Sequence, residues 1–313
     1  MYDSGEKVTA FLGGISENYN SNYISSGNEV VVVEADEFDR SFLQLFPNVS
    51  AITTMDADHL DIYGDAQSLV DSFNAFAALT KEQLFVINGL PIEGLSIGID
   101  DESDYSAQNI KIDNGGYLFD LKTPTEYVKN LRFYLPGHHN LRNAVTAFAL
   151  AMRYGTPTSK LAEALLTFKG IQRRFSYQIK TDSLVYIDDY AHHPTEINAL
   201  HHAVREMHAD KKITAVFQPH LFSRTKDFAE DFSESLAQFD EVLLLDIYPA
   251  RELPIEGVTA KWLLSLIDNE NKKLVTKSEM LEELKKNDFQ VVLSIGAGDI
   301  GAEVNNIKEA LLS

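Results

Sequence analysis

Apolar residues in this chain recur as short β-branched runs separated by stretches with helical spacing. Runs at Val8–Leu12, Val30–Val33, Val49–Thr54 and Leu84–Asn88 predict strands. Leu69, Phe73, Phe76 and Leu79 fall on one helical face, with Ser68 near its start, and predict a helix from Gln67 to Leu79. The Asn/Ser/Tyr-rich stretch before Asn28 reads as a loop, and Ser41–Leu45 as a short helical turn closed by Pro47. Residues 94–133 have a different texture. Short β-rich pieces at Leu95–Ile99, Ala107–Ile112, Tyr117–Leu121 and Asn130–Tyr134 alternate with Asp, Asn, Gly and Pro turns, which predicts a small antiparallel insertion. Helices are expected at Leu141–Tyr154 and Ser159–Phe168.

After Gly170-Ile-Gln-Arg-Arg-Phe the strand–helix alternation restarts, which marks a domain junction. Strands at Leu184–Ile187, Ile213–Phe217, Val242–Leu245, Lys273–Val275 and Val291–Ile295 alternate with helices at Thr195–His208, Ser223–Ala237, Thr259–Ile267 and Met280–Lys286, and a last helix follows Gly301. Repeated strand–helix units imply an α/β fold with a mostly parallel sheet and right-handed crossovers.

Composition narrows the function classes. A chain of 313 residues, 44% hydrophobic and 24% charged, is long enough for two domains with a sizeable core. No run approaches the roughly 20 apolar residues of a membrane span, and Met1-Tyr-Asp-Ser-Gly-Glu-Lys resembles no secretory signal. A cytoplasmic protein without membrane insertion is therefore expected. The absence of cysteine excludes disulfides and thiolate chemistry. A formal charge of −20 repels polyanions and argues against nucleic-acid partners. An anionic small substrate then needs a local Arg/Lys cluster or a metal. Nothing in the sequence sets an oligomeric state.

Candidate chemistry collects at strand ends, where ligands bind in α/β sheets. Val30–Val33 leads into Glu34, Asp36, Glu37 and Asp39, and Val49–Thr54 into Asp56, Asp58 and His59. Read as adjacent strands, the two suggest a cation and a phosphorylated substrate. Asp36, Glu37 and Asp39 singly read better as helix caps or solvated loop, whereas Glu34 and His59 stand where their strands give out. Asn140 and Asn143, one helical turn apart beside His138 and His139, offer donor and acceptor amides suited to a purine edge, with helix capping as the alternative. Asp188-Asp189-Tyr190-Ala-His192-His193 and Gln218-Pro-His220-Leu-Phe-Ser-Arg224 place more polar groups at strand ends. No third ligand at zinc spacing accompanies the histidines, so orientation of an anionic substrate by Arg224 and the histidines is the better reading. Arg173-Arg174 is a candidate phosphate clamp. Gly296-x-Gly298-x-x-Gly301 matches a dinucleotide fingerprint, yet too little chain follows for the acidic ribose ligand, and a tight strand-to-helix turn is expected. Neither G-x-x-x-x-G-K-[ST] nor G-x-S-x-G occurs.

Seven motifs, in order, resemble the Mur ligase family: E-A-D-E-x-D-x-S-F-L from Glu34, D-H-L-D-x-Y-G from Asp58, L-P-G-x-H-N-x-x-N from Leu135, G-I-x-R-R-F from Gly170, D-D-Y-A-H-H-P-T-E from Asp188, F-Q-P-H-x-x-S-R-T from Phe217 and D-x-Y-P-A-R-E from Asp246. The resemblance is collinear over essentially the whole chain. It implies a central ATPase-type domain over residues 1–170, with a mixed or parallel sheet and the small insertion, followed by a Rossmann-like α/β domain over 171–313. It also implies that the family's phosphate loop and UDP-binding domain precede Met1, so residues 1–313 alone are expected to be inactive. The implied reaction uses ATP and Mg²⁺ to activate the carboxylate of UDP-N-acetylmuramate as an acyl phosphate, which the amine of L-alanine attacks. This is a step of peptidoglycan and cell-wall synthesis, tied to cell shape, division and the cell cycle. By motif, Glu34 and His59 would be magnesium ligands, and Asn140 and Asn143 would hold adenine. Arg174, Asp189, His193 and Arg224 would face nucleotide or the substrates. Thr54 and Asp56 stand where the family commonly has Asn and Glu, and Leu221-Phe222 replaces Arg-Tyr, which removes one expected cation. Two alternatives stand beside this reading: a related ligase that attaches a preformed peptide to the same sugar nucleotide, and a non-catalytic nucleotide-binding module.

Overall fold

The computed structural model describes residues 1–55, 63, 65–286 and 289–313, which form two compact units, Met1–Lys169 and Gly170–Ser313. No helix among the described residues is long and apolar enough to cross a membrane.

The first unit contains β1 (Val8–Ser16), β2 (Ser21–Ser25), β3 (Val30–Val33), β4 (Val49–Ile52), α1 (Ala66–Leu79), β5 (Gln83–Ile87), β6 (Leu95–Ile99), β7 (Tyr105–Asp113), β8 (Gly116–Lys122), β9 (Tyr127–Phe133), α2 (His138–Tyr154) and α3 (Thr158–Thr167). These strands make two sheets, one ordered β2-β1-β3 and the other β4-β5-β6-β7-β8-β9. The stretch expected to be a loop before Asn28 holds a strand, because β2 pairs antiparallel with β1. Its hydroxyls join the ladder, as Thr9 Oγ1 and Ser25 Oγ lie 2.9 Å apart, so a polar composition concealed a paired strand.

The two acid-bearing runs are not neighbours. β3 pairs in parallel with β1, whereas β4 edges the other sheet beside β5. Val31, Val32 and Val33 are exposed, so the apolar run of β3 is not a core strand among the described residues. The antiparallel part of residues 94–133 is confined to β7, β8 and β9, and β6 pairs in parallel on both sides. It therefore continues the main sheet. Asp65 caps α1 by accepting from the Ser68 amide at 2.7 Å. Leu69, Phe73 and Phe76 then pack on Phe42, Ile52 and Tyr63.

The second unit contains β10 (Ser176–Lys180), β11 (Val185–Asp189), α4 (Pro194–Met207), β12 (Ile213–Phe217), α5 (Phe222–Asp227), α6 (Ala229–Ala237), β13 (Glu241–Leu244), α7 (Ala260–Leu266), β14 (Lys272–Leu274), α8 (Lys277–Leu284), β15 (Val291–Ile295) and α9 (Val304–Leu312). The sheet order is β10-β11-β15-β12-β13-β14, parallel except for β10. Every residue of β12 and β15 is buried, as expected of parallel strands covered on both faces. β10, with the edge sequence Ser-Tyr-Gln-Ile-Lys, carries too little apolar signal to be read in advance. The single helix expected over Ser223–Ala237 is two, joined at Phe228, whose φ of −115° leaves the helical range.

Candidate active site

Glu34 follows the last residue of β3 and is exposed. The parallel register sets Phe11 opposite Val33, which brings the Glu34 carboxylate over Gly13. A β-carbon at position 13 would lie 1.6 Å from Glu34 Oε2. Asp36 Oδ1 accepts from the Phe38 amide at 2.9 Å, an Asx turn ahead of the helical turn Phe38–Gln44, whose N-cap position is Glu37 and carries no side-chain cap bond. His59, with Asp56 and Asp58, lies outside the described residues, and among the described residues no group of three or more His, Asp or Glu is arranged to hold a metal. Glu34 is nevertheless a donor that Mg²⁺ accepts, since this ion takes one or two carboxylates and completes its shell with waters and substrate phosphates.

A cavity of about 360 Å³ opens beyond the carboxyl ends of β5 and β6, under the N-terminus of α2. Its polar lining is Asn88, Asp100, Asp101, His138 and Arg142. Asn88 Nδ2 donates to Asp101 Oδ2 at 2.9 Å and the Ser103 amide to Oδ1 at 3.1 Å. Burial alone would raise the Asp101 pKa, but the bonds from Asn88, Ser103 and Ser106 outweigh it and hold the group ionised below its ordinary range. Donors, acceptors and apolar walls of this size suit a nucleoside. On α2, His138 and Arg142 are four residues apart and share the cavity face. Asn140 and Asn143 lie on the other side of the helix by its 100° per residue. Asn140 Nδ2 donates to the Pro136 carbonyl at 2.7 Å, and Asn143 is exposed.

In the second unit, Asp188 and Asp189 end β11. Asp189 accepts from the Phe175 amide at 2.7 Å and the Ala191 amide at 2.8 Å. Burial outweighs these bonds and pushes its pKa up to about 6. His193 caps α4, with its Nδ1 accepting from the Thr195 amide at 3.4 Å, while Glu196 Oε2 accepts from the His193 amide at 3.1 Å and the His192 amide at 2.8 Å. Arg174 Nη1 lies 3.6 Å from Glu196 Oε1. Arg224 Nη1 donates to His220 Nδ1 at 3.3 Å, and the His220 ring stacks on Tyr248 with centroids 5.8 Å apart. Burial, then the charge of Arg224, drives the His220 pKa down to about 4, so the ring is neutral at neutral pH. Asp189, His193 and Arg174 thus gather around the N-terminus of α4, and Arg224 joins His220 beyond β12. A second cavity, of about 280 Å³, lies beyond β12, β13 and β14 and includes Gln218, Asp246, Tyr248, Lys277 and Asp299.

Sequence reasoning missed Asn88, Asp101 and Arg142. The first two follow strands, as Glu34 does, so the strand-end rule could have found them. Arg142 had no signal beyond its four-residue spacing from His138.

Comparison with known proteins agrees with this division. Residues 18–151 match the Mur ligase middle domain and residues 173–298 the Mur ligase, glutamate ligase domain. The UDP-N-acetylmuramate–L-alanine ligase of Flavobacterium psychrophilum is 62% identical over 313 residues, covering 99% of this chain and 70% of the relative. That of Christiangramia forsetii is 64% identical over 314 residues, covering 100% and 70%. Among solved structures, UDP-N-acetylmuramate-alanine ligase MurC from Thermotoga maritima superposes with a TM-score of 0.81 at 26% identity, covering 98% of this chain and 70% of that one. With relatives of this identity over its whole length, the chain belongs to the Mur ligase family.

Proposed function

We propose that these residues serve an ATP-dependent ligase that joins L-alanine to the carboxylate of UDP-N-acetylmuramate, acting in the cytoplasm. The observation that carries the reading is identity above 60% to two ligases of that name across the whole chain. The polar-edged cavity at the head of α2 supports it, because its size and its mixture of donors and acceptors fit the nucleoside of ATP.

In this reading the γ-phosphoryl group passes to the muramate carboxylate, giving an acyl phosphate and ADP. The alanine amine then attacks the acyl carbon, and phosphate leaves as the amide forms. Glu34 and His59 would hold Mg²⁺, which when bound offsets phosphate charge. Asn88, Asp101, His138 and Arg142 line the nucleoside cavity, with Asn140 and Asn143 as the motif-based alternative for adenine. Arg174 and Arg224 supply positive charge against anionic substrates, which a chain of net charge −20 otherwise repels. Asp189 shapes the turn that presents Arg174 through its bond to the Phe175 amide, and His193 caps α4 through the Thr195 amide.

The test is ADP release by the complete gene product that contains residues 1–313, supplied with ATP, Mg²⁺, UDP-N-acetylmuramate and either L-alanine or a preformed tripeptide. Turnover that depends on L-alanine is expected. Turnover with the tripeptide alone would move the assignment to the peptide-attaching ligases, and binding of nucleotide without any turnover would leave a non-catalytic module.

A further inference from the structure

We infer that Arg173 is a positioning residue that presents Arg174 to an anionic ligand, and that the G-x-G-x-x-G turn at Gly296–Gly301 cradles the guanidinium of Arg173 rather than a dinucleotide. The role of Arg174 toward nucleotide phosphate rests on the function proposed above.

The two adjacent arginines have opposite surroundings. Arg173 Nε lies 3.2 Å from Asp188 Oδ2, whose side chain is 2% exposed, and Arg173 Nη2 donates to the Gly296 carbonyl at 2.6 Å. Its guanidinium carbon stands 5.0 Å from the centre of the Tyr190 ring. Asp188 in turn accepts from Ser294 Oγ at 2.6 Å. Charge, hydrogen bonds and ring contact together fix this side chain. A β-carbon at Gly301 would come within 2.4 Å of Arg173 Cζ. Gly296 thus supplies a carbonyl and Gly301 supplies room, which accounts for two of the three glycines without a cofactor.

The main chain completes the device. The Arg173 carbonyl accepts from the Tyr190 amide at 2.7 Å, the Arg174 amide donates to the Ile171 carbonyl at 3.0 Å, and the Phe175 amide donates to Asp189. Arg173 and Phe175 both adopt left-handed backbone, at φ 61° and 49°. Non-glycine residues hold that conformation only when their surroundings over-determine it. Arg174 sits between them, with its direction set by both flanks. Its guanidinium carbon stands 5.5 Å from the same Tyr190 ring, and its side chain is 55% exposed. The ion pair to Glu196 is long and exposed, hence weak, and a guanidinium carries five donors. Arg174 is therefore aimed and open to exchange Glu196 for a phosphate.

The test is a double-mutant cycle on the complete gene product, read as the KM for ATP and as kcat, with R173K, R174A and R173K/R174A. G301A is the second route, because it crowds Arg173 while leaving both arginines in place. R174A is expected to raise the KM for ATP at least tenfold, R173K and G301A at least fivefold. R173K/R174A should be no worse than R174A, because the effects of residues acting through one another do not add. Thermal unfolding identifies a variant that fails to fold, and G301A then carries the comparison. Impairment by R174A with no change in R173K and G301A, or with independent additive losses in R173K/R174A, overturns the positioning role while the nucleotide role of Arg174 stands. An unchanged KM in R174A overturns both.

Discussion

The carboxylate of Glu34 occupies the space over Gly13 that a β-carbon would fill. The contact joins two chain segments through the parallel pairing of β1 and β3 and fixes where the one described magnesium-ligand candidate points. In a Gly13→Ala variant the side chain at 34 must swing aside, which is inexpensive because the clash is with the end of a flexible chain. Alanine also suits a strand better than glycine, by about 0.5–1 kcal/mol. The expected outcome is an unchanged or slightly raised melting temperature together with a Mg²⁺ requirement for ATP turnover shifted upward by about fivefold or more. A magnesium titration that superimposes on the parent's would remove Glu34 from the metal site.

Two partly buried groups of the second unit should oppose one another in acid. The pKa of Asp189 is about 6 when folded against 3.8 for the free side chain, so the native state binds its proton more tightly. Its contribution is fully present below pH 3.8 and is lost as pH rises through 6. His220 behaves in reverse. Its folded value of about 4 lies below the free 6.5, so its contribution is present above pH 6.5 and is lost as pH falls towards 4. His220→Gln should therefore flatten the loss of stability between pH 7 and 4, and Asp189→Asn should steepen it. Urea midpoints at the two pH values check both signs, and parallel pH profiles for parent and variants would contradict them.

The candidate nucleoside cavity separates two assignments on one helix. If Asp101 and Arg142 line the ligand, Asp101→Ala and Arg142→Ala should each weaken ADP binding about tenfold, or ~1.4 kcal/mol. Asn143→Ala, on the other side of α2, should change it less than twofold. Calorimetric titration with ADP·Mg decides, and the reverse ranking would return adenine to the asparagines.

Much of this was legible in the sequence, for identifiable reasons. The Val291–Ile295 run and the period of Leu69, Phe73 and Phe76 are signals of burial, and the structure buries them. The Val30–Val33 run carries the same apolar signal and is exposed from Val31 onward, because burial depends on what covers a strand, which a run of valines does not encode. β2 and β10 escape a sequence reading because these edge strands pair through the backbone and carry few apolar side chains. Arg173 and Arg174 are indistinguishable as letters. Only the fold, by setting Asp188 and the Gly296 carbonyl beside one of them, makes the first an anchor and the second an open cation.

The cavity's roof depends on a residue with no ligand contact assigned to it. Tyr117 is 1% exposed on β8, and its hydroxyl accepts from the Gly137 amide at 2.8 Å, just ahead of the first residue of α2. The first amides of a helix have no partner within it, and Pro136 and Gly137 are themselves buried, so water does not readily replace the phenol. Tyr117 also meets His138 edge to face, with centroids 6.0 Å apart. Tyr117→Phe keeps the ring and its packing but leaves the Gly137 donor without this acceptor, at a cost of about 1–3 kcal/mol. Because the same turn carries His138 and Arg142, the loss should appear twice, as a lower melting temperature and as weaker ADP binding. Hydrogen exchange at the Gly137 amide locates the effect. A variant with parent-like exchange there and unchanged ADP affinity would show that the helix start, and with it the cavity, is held by something other than Tyr117.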